Sequence, residues 1–255
     1  KTGSGTLTFD LPSIYGSSSI DFTNSLQIES GKLILTTSET LPLRLEGSVT
    51  KTTSGAATFE IESPTKNLTI DTSITSAAGA GPLHVKAKSG WSILLDDSES
   101  INTKGGDIVF WANSSNKQSG FGEHYIRLEA GSSLNSSGGN IVLAGGLDSN
   151  SDGYPDGFAY IGGYVTPPAG NFEGGALQPG LSLGSVRDQQ GALISINSGG
   201  GDIVMRGRSG VAEAEADGFG SQRALVIDSG TGTIEIIGDQ VSSSGGVGLR
   251  FGGFG

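Results

Sequence analysis

The chain has 255 residues, of which 44 are Gly, 8 are Pro and none is Cys. The lack of Cys excludes disulfides, thiolate chemistry and Cys-bound zinc. The net charge is −11 and Lys and Arg are scattered, so nucleic acid and anionic membrane surfaces are poor partners. No apolar run approaches the ~20 residues needed to span a bilayer. We therefore expect no nucleic-acid binding and no membrane insertion.

The first 46 residues contain five short runs in which apolar and polar residues alternate. Alternation of this kind is typical of half-buried β-strands, and no helical period extends over eleven residues in this stretch. It therefore predicts five strands and an all-β fold. The apolar pairs are Leu7 with Phe9, Ile20 with Phe22, Leu26 with Ile28, Leu33 with Leu35, and Leu43 with Leu45.

One phrase of sequence is repeated further along the chain. It begins at Ile101, Leu134 and Ile196, and it reads aliphatic, Asn, two variable residues, Gly, Gly, Asp or Asn, and two aliphatics. A looser copy begins at Ile227. Gly, Asn and Asp adopt positive φ angles more readily than other residues. The phrase therefore predicts a corner between two strands.

The residue that opens the strand after each corner recurs at the length of a coil. Short strands joined by Gly and Asn turns at such a period predict a β-solenoid, with equivalent residues stacked ~4.8 Å apart. The separations are 26, 24, 25, 33, 62 and 31 residues, and 62 is twice 31, so a further rung is expected near position 172. The anchors are Leu33, Phe59, Leu83, Ile108, Ile141, Ile203 and Ile234.

We predict one right-handed parallel β-helix over residues 1–255, with about eight coils of three strands each. One coil is assigned to 108–112, 125–130 and 133–136, with a polar excursion over 113–122. The inward residues should include Leu33, Leu35, Ile108, Phe110, Ile141, Leu143, Ile203, Met205, Ile234 and Ile236.

Two segments depart from the regular pattern. Residues 147–192 contain four Pro and are interpreted as an irregular, loop-rich rung. Residues 211–217 are rich in Ala, Glu and Asp, and a solvated loop is preferred to a helical turn there.

The most specific motif is an acidic stretch within the irregular rung. Oxygen donors mostly at every second position, followed by a Gly that permits a sharp reversal, can wrap a hard cation. The predicted calcium ligands are the side chains of Asp148, Asn150, Asp152 and Asp156 and the carbonyl of Tyr154, with the reversal at Gly153.

This stretch resembles the calcium loops of thrombospondin type 3 repeats and of many bacterial surface proteins, over about ten residues. The resemblance implies calcium. Counted from Asp148, the twelfth position is Ala159, which cannot supply the acidic ligand of an EF-hand, so Asp202, Glu173 or water would complete the site. The alternative is an ordinary acidic surface turn.

Catalytic groups are few. Polysaccharide-cleaving β-helices that resemble polygalacturonases carry paired aspartates and a Gly-His-Gly segment, and neither His84 nor His124 has that flanking sequence. Asp96 and Asp97 are adjacent, so in a strand they would point to opposite faces, and a solvated turn is the preferred interpretation. We therefore expect no enzymatic activity.

Three further interpretations concern the surface. Trp111 follows Phe110, so one of the two should face outward and offer a flat surface for carbohydrate or lateral contacts. His124 is interpreted as a polar surface residue. An ice-binding face would need a ladder of Thr, and residues such as Thr50 and Thr75 are interpreted as lying off the coil period.

The repeats at 100–112, 133–145 and 195–207 resemble the repeat regions of large secreted bacterial adhesins of the filamentous haemagglutinin type. The similarity spans most of residues 95–250 and is mainly compositional. It implies a right-handed β-helix, export to the cell surface and a role in adhesion or scaffolding. We therefore expect a non-catalytic extracellular adhesin or fibre segment of a bacterium, with a polysaccharide-binding or polysaccharide-cleaving β-helix as the alternative.

The two ends bear on the partners. The chain begins at Lys1, and repeat-like sequence continues through 247–253, as expected for a segment of a longer chain or fibre. A solenoid without caps exposes strand edges, which predicts end-to-end contacts with further solenoid segments or like subunits. A cell-surface carbohydrate or protein is the candidate receptor.

Overall fold

The computed structural model describes residues 3–12, 18–116, 122–162, 179–184, 192–210, 217–221, 224–241 and 247–251. Within these ranges the chain forms 25 strands and no helix. The strands make three sheets of 10, 8 and 7 strands, and every pairing is parallel except that of β14 with β18. None of the described segments is a helix long and apolar enough to cross a membrane.

Each of the three sheets draws its strands from successive coils. Sheet A contains β1 (Thr6–Asp10), β4 (Gly31–Thr36), β7 (Ala57–Ser63), β10 (Leu83–Ser89), β13 (Ile108–Ala112), β14 (Gly122–His124), β17 (Ile141–Gly145), β18 (Ala159–Gly162), β21 (Ile203–Ser209) and β24 (Ile234–Gln240). Sheet B contains β2 (Ile20–Phe22), β5 (Leu43–Leu45), β8 (Leu68–Ile70), β11 (Ile93–Leu95), β15 (Ile126–Leu128), β19 (Leu181–Leu183), β22 (Phe219–Ser221) and β25 (Leu249–Phe251). Sheet C contains β3 (Leu26–Ile28), β6 (Val49–Lys51), β9 (Ile74–Ser76), β12 (Ser100–Asn102), β16 (Ser133–Asn135), β20 (Ile194–Asn197) and β23 (Leu225–Asp228).

The chain visits the three sheets in a fixed order. In the early coils each strand pairs with the strand three elements later, so that β4, β5 and β6 pair with β7, β8 and β9. The predicted all-β architecture with parallel strands is confirmed, and the arrangement is solenoid-like. The five strands expected in the first 46 residues are β1 to β5.

The core lies inside the three sheets. Eight of the ten predicted inward residues, from Leu33 to Met205, are at most 1% exposed. Each such Leu or Ile contributes about 1.5–3 kcal/mol through burial. Ile234 is 46% exposed and Ile236 is partly buried against the core, because β21 is the only partner of β24 among the described strands.

Two details of the predicted period are wrong. Val85 pairs with both Phe59 and Ile108, so Val85 is the residue equivalent to the other anchors in that coil. The predicted anchor, Leu83, lies on the same face two residues before it. Ile141 pairs directly with Ile203, which leaves no place for a separate rung near position 172 in sheet A.

The 62-residue interval is one coil with a large insertion. After β17 the chain forms β18, which extends sheet A beside the end of β21, and then β19 in sheet B and β20 in sheet C. Residues 163–178 and 185–191 of the predicted irregular rung lie outside the described residues, as do 117–121 of the polar excursion and 211–216 of the predicted loop.

The repeated phrase forms the corner between sheets C and A, as predicted. Inside the corner, buried hydroxyls donate to the carbonyl oxygen three residues later, in each case that of the second Gly of the phrase. These bonds satisfy acceptors that the turn would otherwise leave unpaired. The donors are Thr103, Ser136, Ser198 and Ser229.

Lys51 occupies the position of these hydroxyl residues in an earlier coil. It pairs with Ser76, and because Thr75 pairs with Asn102, the next residues, Ser76 and Thr103, are aligned as well. Its side chain is fully buried, and its ammonium group donates to the carbonyl oxygen of Glu29 and to the hydroxyl of Thr53, both at 2.7 Å. Burial lowers the pKa of Lys51. A buried ammonium thus replaces the hydroxyl of the later corners.

Candidate functional site

A segment that we call the strap, residues 146–158, covers part of the outer face of sheet A. The indole Nε1 of Trp111 donates to the carbonyl oxygen of Gly146 at 2.7 Å. The Nζ of Lys86 donates to the carbonyl oxygen of Gly153 at 3.0 Å, and Nη1 of Arg206 donates to that of Asp156 at 3.0 Å. Three coils therefore hold the strap through its backbone.

The predicted calcium motif forms the tip of the strap. The carboxylate of Asp148 accepts the backbone N–H groups of Asp152 at 3.0 Å and Gly153 at 2.9 Å. Asp152 in turn accepts the N–H of Tyr154 at 2.9 Å. Gly153 has φ +93°, so the predicted reversal is confirmed. Such bonds from an Asp side chain to its own loop stabilise a tight turn.

The remaining members of the motif close the turn. Asn150 accepts the N–H of Asp152 at 3.1 Å, and Asp156 accepts the N–H of Ser149 at 2.6 Å. This backbone bond and the Ser149 hydroxyl lower the pKa of Asp156. Among the residues described, no three His, Cys, Asp or Glu side chains are grouped so that they could hold a metal ion. The carboxylates of Asp148, Asp152 and Asp156 accept different backbone N–H groups of the turn.

The side chain of Tyr154 joins the strap to Asp107, the corner residue that directly precedes β13. Its hydroxyl donates to Oδ2 of Asp107 at 2.9 Å, and Nδ1 of His84 lies 3.1 Å from the same oxygen. Burial alone would raise the pKa of Asp107, but the hydrogen bonds from His84, Asn140 and Tyr154 lower it. The hydrogen bond to Asp107 raises the pKa of His84, and burial together with Asp107 raises that of Tyr154 to about 12.

Asp107 begins a polar ladder along the stacked coils. Its Oδ1 accepts the backbone N–H of Asn140 at 2.8 Å, and Oδ1 of Asn140 accepts that of Asp202 at 2.9 Å. Oδ1 of Asp202 accepts both the N–H and the hydroxyl of Thr233 at 2.8 Å. The side chains of this ladder are therefore fixed about 4.8 Å apart, the spacing of neighbouring strands.

Two open clefts lie on either side of Tyr154, between the strap and sheet A. The first cleft has a volume of about 270 Å³ and is lined by Asn140, Val142, Asp152, Tyr154, Pro155, Asp156, Asp202, Val204 and Arg206. The second has about 240 Å³ and is lined by Thr58, His84, Val85, Lys86, Asp107, Val109, Asp152, Gly153 and Tyr154. Asp202, a predicted further calcium ligand, thus lies in the same cleft as Asp152 and Asp156, whereas Glu173 is outside the described residues.

Two surface interpretations are wrong because distant segments cover the residues concerned. Trp111 does lie on the outward side, but it is only 7% exposed and packs with Val109, Val142 and Tyr154 beneath the strap. It therefore offers no flat carbohydrate surface. His124 is 4% exposed, and its ring lies 5.7 Å from that of Trp91.

The adjacent aspartates lie on a turn after β11, as interpreted from the sequence. The N–H of Asp97 donates to Oδ1 of Asp96 at 2.9 Å. Asp96 lies 3.9 Å from the guanidinium of Arg44, which also pairs with Glu46 and Asp71. The pair therefore belongs to a charge cluster on neighbouring coils.

Sequence reasoning missed a polar array on the outer face of sheet C. Thr50 and Thr75 are direct register partners, so placing them off the coil period was wrong. Their column continues as Asn102, Asn135 and Asn197, which leaves a Thr ladder of only two residues. The signal was the Ser-x-Thr or Ser-x-Asn that recurs in five coils, at Ser48, Ser73, Ser100, Ser133 and Ser195, after a Ser-x-Gln at Ser25 in the first.

No family model, curated protein or solved structure matches this chain.

Proposed function

We propose that the chain is a non-catalytic extracellular adhesin, or a fibre or scaffold segment, of a bacterial surface. The observation that carries this proposal is the continuous register of the corner residues across coils. Many of their polar side chains form hydrogen bonds to the neighbouring coil. Charged pairs on sheet A follow the same pattern, with Arg206 and Arg208 bound to Glu235 and Asp239 of the next strand at 2.7–2.8 Å. A stiff body of this kind suits an exposed spacer better than a catalytic pocket.

The finer architecture is part of the proposal. We assign a right-handed parallel β-helix of about eight coils, because connections between parallel strands of one sheet are right-handed in about 98% of cases. The last strand of sheet A has one described partner and exposes Ile234 and Ile237. Unpaired strand edges of this kind pair readily with other strands. Further solenoid segments or like subunits would therefore stack end to end.

Calcium is proposed to stabilise the strap. The donors would be Asp148, Asn150, Asp152 and Asp156, with the Tyr154 carbonyl and, from the same cleft, Asp202. They fit calcium chemically, since they are hard oxygen donors and each carboxylate keeps lone pairs beyond those used in the turn. The ion would supply positive charge that relieves repulsion among the carboxylates.

The calcium proposal is tested by melting the protein in calcium and in chelator. A hundredfold excess over Kd would stabilise the folded state by ~2.7 kcal/mol. Asp152→Ala should lower the melting temperature in calcium and have little effect in chelator. Equal melting of the wild type in both conditions would refute the site.

The functional proposal is tested on intact cells of the source. Antibodies against the chain should label unpermeabilised cells or the secreted fraction, and the purified chain should bind a cell or matrix surface without degrading it. Cleavage of acidic or neutral polysaccharides in a screen would favour the enzyme alternative. Labelling confined to the cytoplasm would refute the proposal.

A further inference from the structure

We propose that the two clefts beside Tyr154 form one groove that binds a neutral oligosaccharide along the solenoid axis. The inference deepens the proposed adhesin function, on which it rests, by naming the ligand class and its place. The clefts share Asp152 and Tyr154, so a ligand that crosses Tyr154 would occupy both. Each volume is slightly below the ~300–1,000 Å³ of ordinary ligand pockets.

The lining of the first cleft suits a sugar ring. Val142 and Val204 give it an apolar floor on sheet A, and Tyr154 forms a wall. Asn140 and the carboxylates of Asp202 and Asp156 stand around this floor. A pocket with an apolar surface and a few fixed polar groups matches the C–H face and the hydroxyl edge of a pyranose.

Hydrogen bonds within the protein hold these polar groups in place. The N–H of Asp202 donates to Asn140, and the N–H and hydroxyl of Thr233 donate to Oδ1 of Asp202. The Asp156 carboxylate accepts the N–H of Ser149. Groups fixed before binding lose little conformational entropy when a ligand arrives. Each carboxylate can still accept from a sugar hydroxyl through its remaining lone pairs.

Charge selects against acidic sugars. The cations that line the clefts are engaged by the protein itself, since Arg206 pairs with Glu235 at 2.7 Å and Lys86 donates to Gly153 and lies over the ring of Trp111 at 4.6 Å. Four aspartates line the two clefts, so a carboxylated or sulfated sugar would meet repulsion. Each of these aspartates also accepts hydrogen bonds from the protein, and its remaining lone pairs can accept from the neutral hydroxyl groups of a sugar.

The ladder gives the groove its direction. His84 and Asp107 line the second cleft, and Asn140 and Asp202 line the first. These four residues lie on successive coils about 4.8 Å apart. Their polar groups therefore repeat along the axis, which suits a chain of sugar units better than a single compact ligand.

The test is a glycan array that carries neutral, acidic and amino oligosaccharides, followed by titration calorimetry with the neutral tetrasaccharide that gives the strongest signal. Asp202→Asn should weaken binding about tenfold, as expected from losing one hydrogen bond to a charged group. Thr58→Trp fills the second cleft and should weaken a tetrasaccharide more than a disaccharide. Thr75→Ala, on the outer face of sheet C, is the matched control and should bind as the wild type does.

Circular dichroism melting of each variant separates loss of binding from loss of folding. The inference is overturned if no neutral glycan binds, if acidic or amino glycans bind instead, or if the cleft variants bind like Thr75→Ala. Repeating the glycan titration in chelator separates the proposed sugar-binding groove from the proposed calcium site. Binding that persists without any calcium effect on melting supports the groove alone, whereas a calcium effect without glycan binding overturns the groove and leaves the metal site.

Discussion

At the scale of single residues, the second Gly of each corner is required by the close approach of stacked coils. A Cβ on Gly139 would clash with the carbonyl of Gly106, and one on Gly201 would clash with that of Gly139. Backbone cannot move aside as a flexible side chain can. We therefore expect Gly139→Ala to destabilise the protein by about 1–3 kcal/mol, the usual cost of overpacking.

Urea unfolding of matched variants would measure this cost. A Cβ on Gly55 would meet nothing within 4 Å, and its φ does not lie in the left-handed region. Gly55→Ala should therefore be neutral or stabilising by up to about 1 kcal/mol. Equal midpoints for Gly139→Ala and Gly55→Ala would contradict the stacking argument.

The contact between His84 and Asp107 makes stability depend on pH. Nδ1 of His84 lies 3.1 Å from the Asp107 carboxylate and 3.2 Å from its backbone nitrogen, so the protonated ring donates to the former and the neutral ring accepts from the latter. The pKa of His84 is raised above 6.5, so its contribution is fully present below 6.5 and is lost as pH rises through the folded-state pKa. The pKa of Asp107 is lowered below 3.8, so its contribution is present above 3.8 and is lost in stronger acid.

Asp107→Asn should therefore bring the pKa of His84 back toward 6.5 and should destabilise the protein more at about pH 5 than at about pH 8. A proton NMR titration of the imidazole signals would show this shift. Asp97→Asn, at a turn on another corner, is the control and should leave the titration unchanged. A His84 pKa that does not respond to Asp107→Asn would contradict the assignment.

At the scale of elements, the strap shields Trp111. Tyr154 fastens the strap through its ring, which packs on the Val109, Val142 and Trp111 cluster, and through its hydroxyl. Tyr154→Ala removes both contacts and should expose Trp111 to solvent. Tyr154→Phe removes only the hydrogen bond to the Asp107 carboxylate, at a cost of about 1.5–3 kcal/mol, and should expose Trp111 less than Tyr154→Ala does.

Fluorescence in a Trp91→Phe background would follow Trp111 alone. The expected results for Tyr154→Ala are emission at longer wavelength and stronger quenching by acrylamide. Thr36→Ala lies elsewhere on the outer face of sheet A and should match the background protein. If Tyr154→Ala leaves the quenching unchanged, Tyr154 does not fasten the strap.

The strap also shows where sequence reasoning stops. The corner phrase predicted the stacking of Ile101, Leu134 and Ile196, because its Gly and Asn residues mark a tight turn that recurs in each coil. Arithmetic on the period cannot distinguish two coils of 31 residues from one coil of 62 with an insertion. The covering of Trp111 depends on residues 35 positions away, at Gly146, and no local pattern reports such a contact.

At the scale of the whole molecule, stability should be graded along the solenoid. Each coil contacts chiefly its neighbours, so stability is approximately a sum over coils and their interfaces. Strands β13 and β17 have parallel partners on both sides. Every residue of β1 is exposed, and within the described part of the chain β24 pairs only with β21.

Hydrogen exchange followed by mass spectrometry should reveal this gradient. Amides of β10, β13 and β17 should exchange slowest, near the rate set by global unfolding, and those of β1, β24 and β25 should exchange fastest through local opening. Increasing protein concentration should slow exchange at β1 and β24 if copies stack end to end, because pairing covers the exposed edges, and should leave β13 unchanged. Uniform protection across all strands would mean that the coils unfold as one cooperative unit, and the nearest-neighbour description would then be wrong.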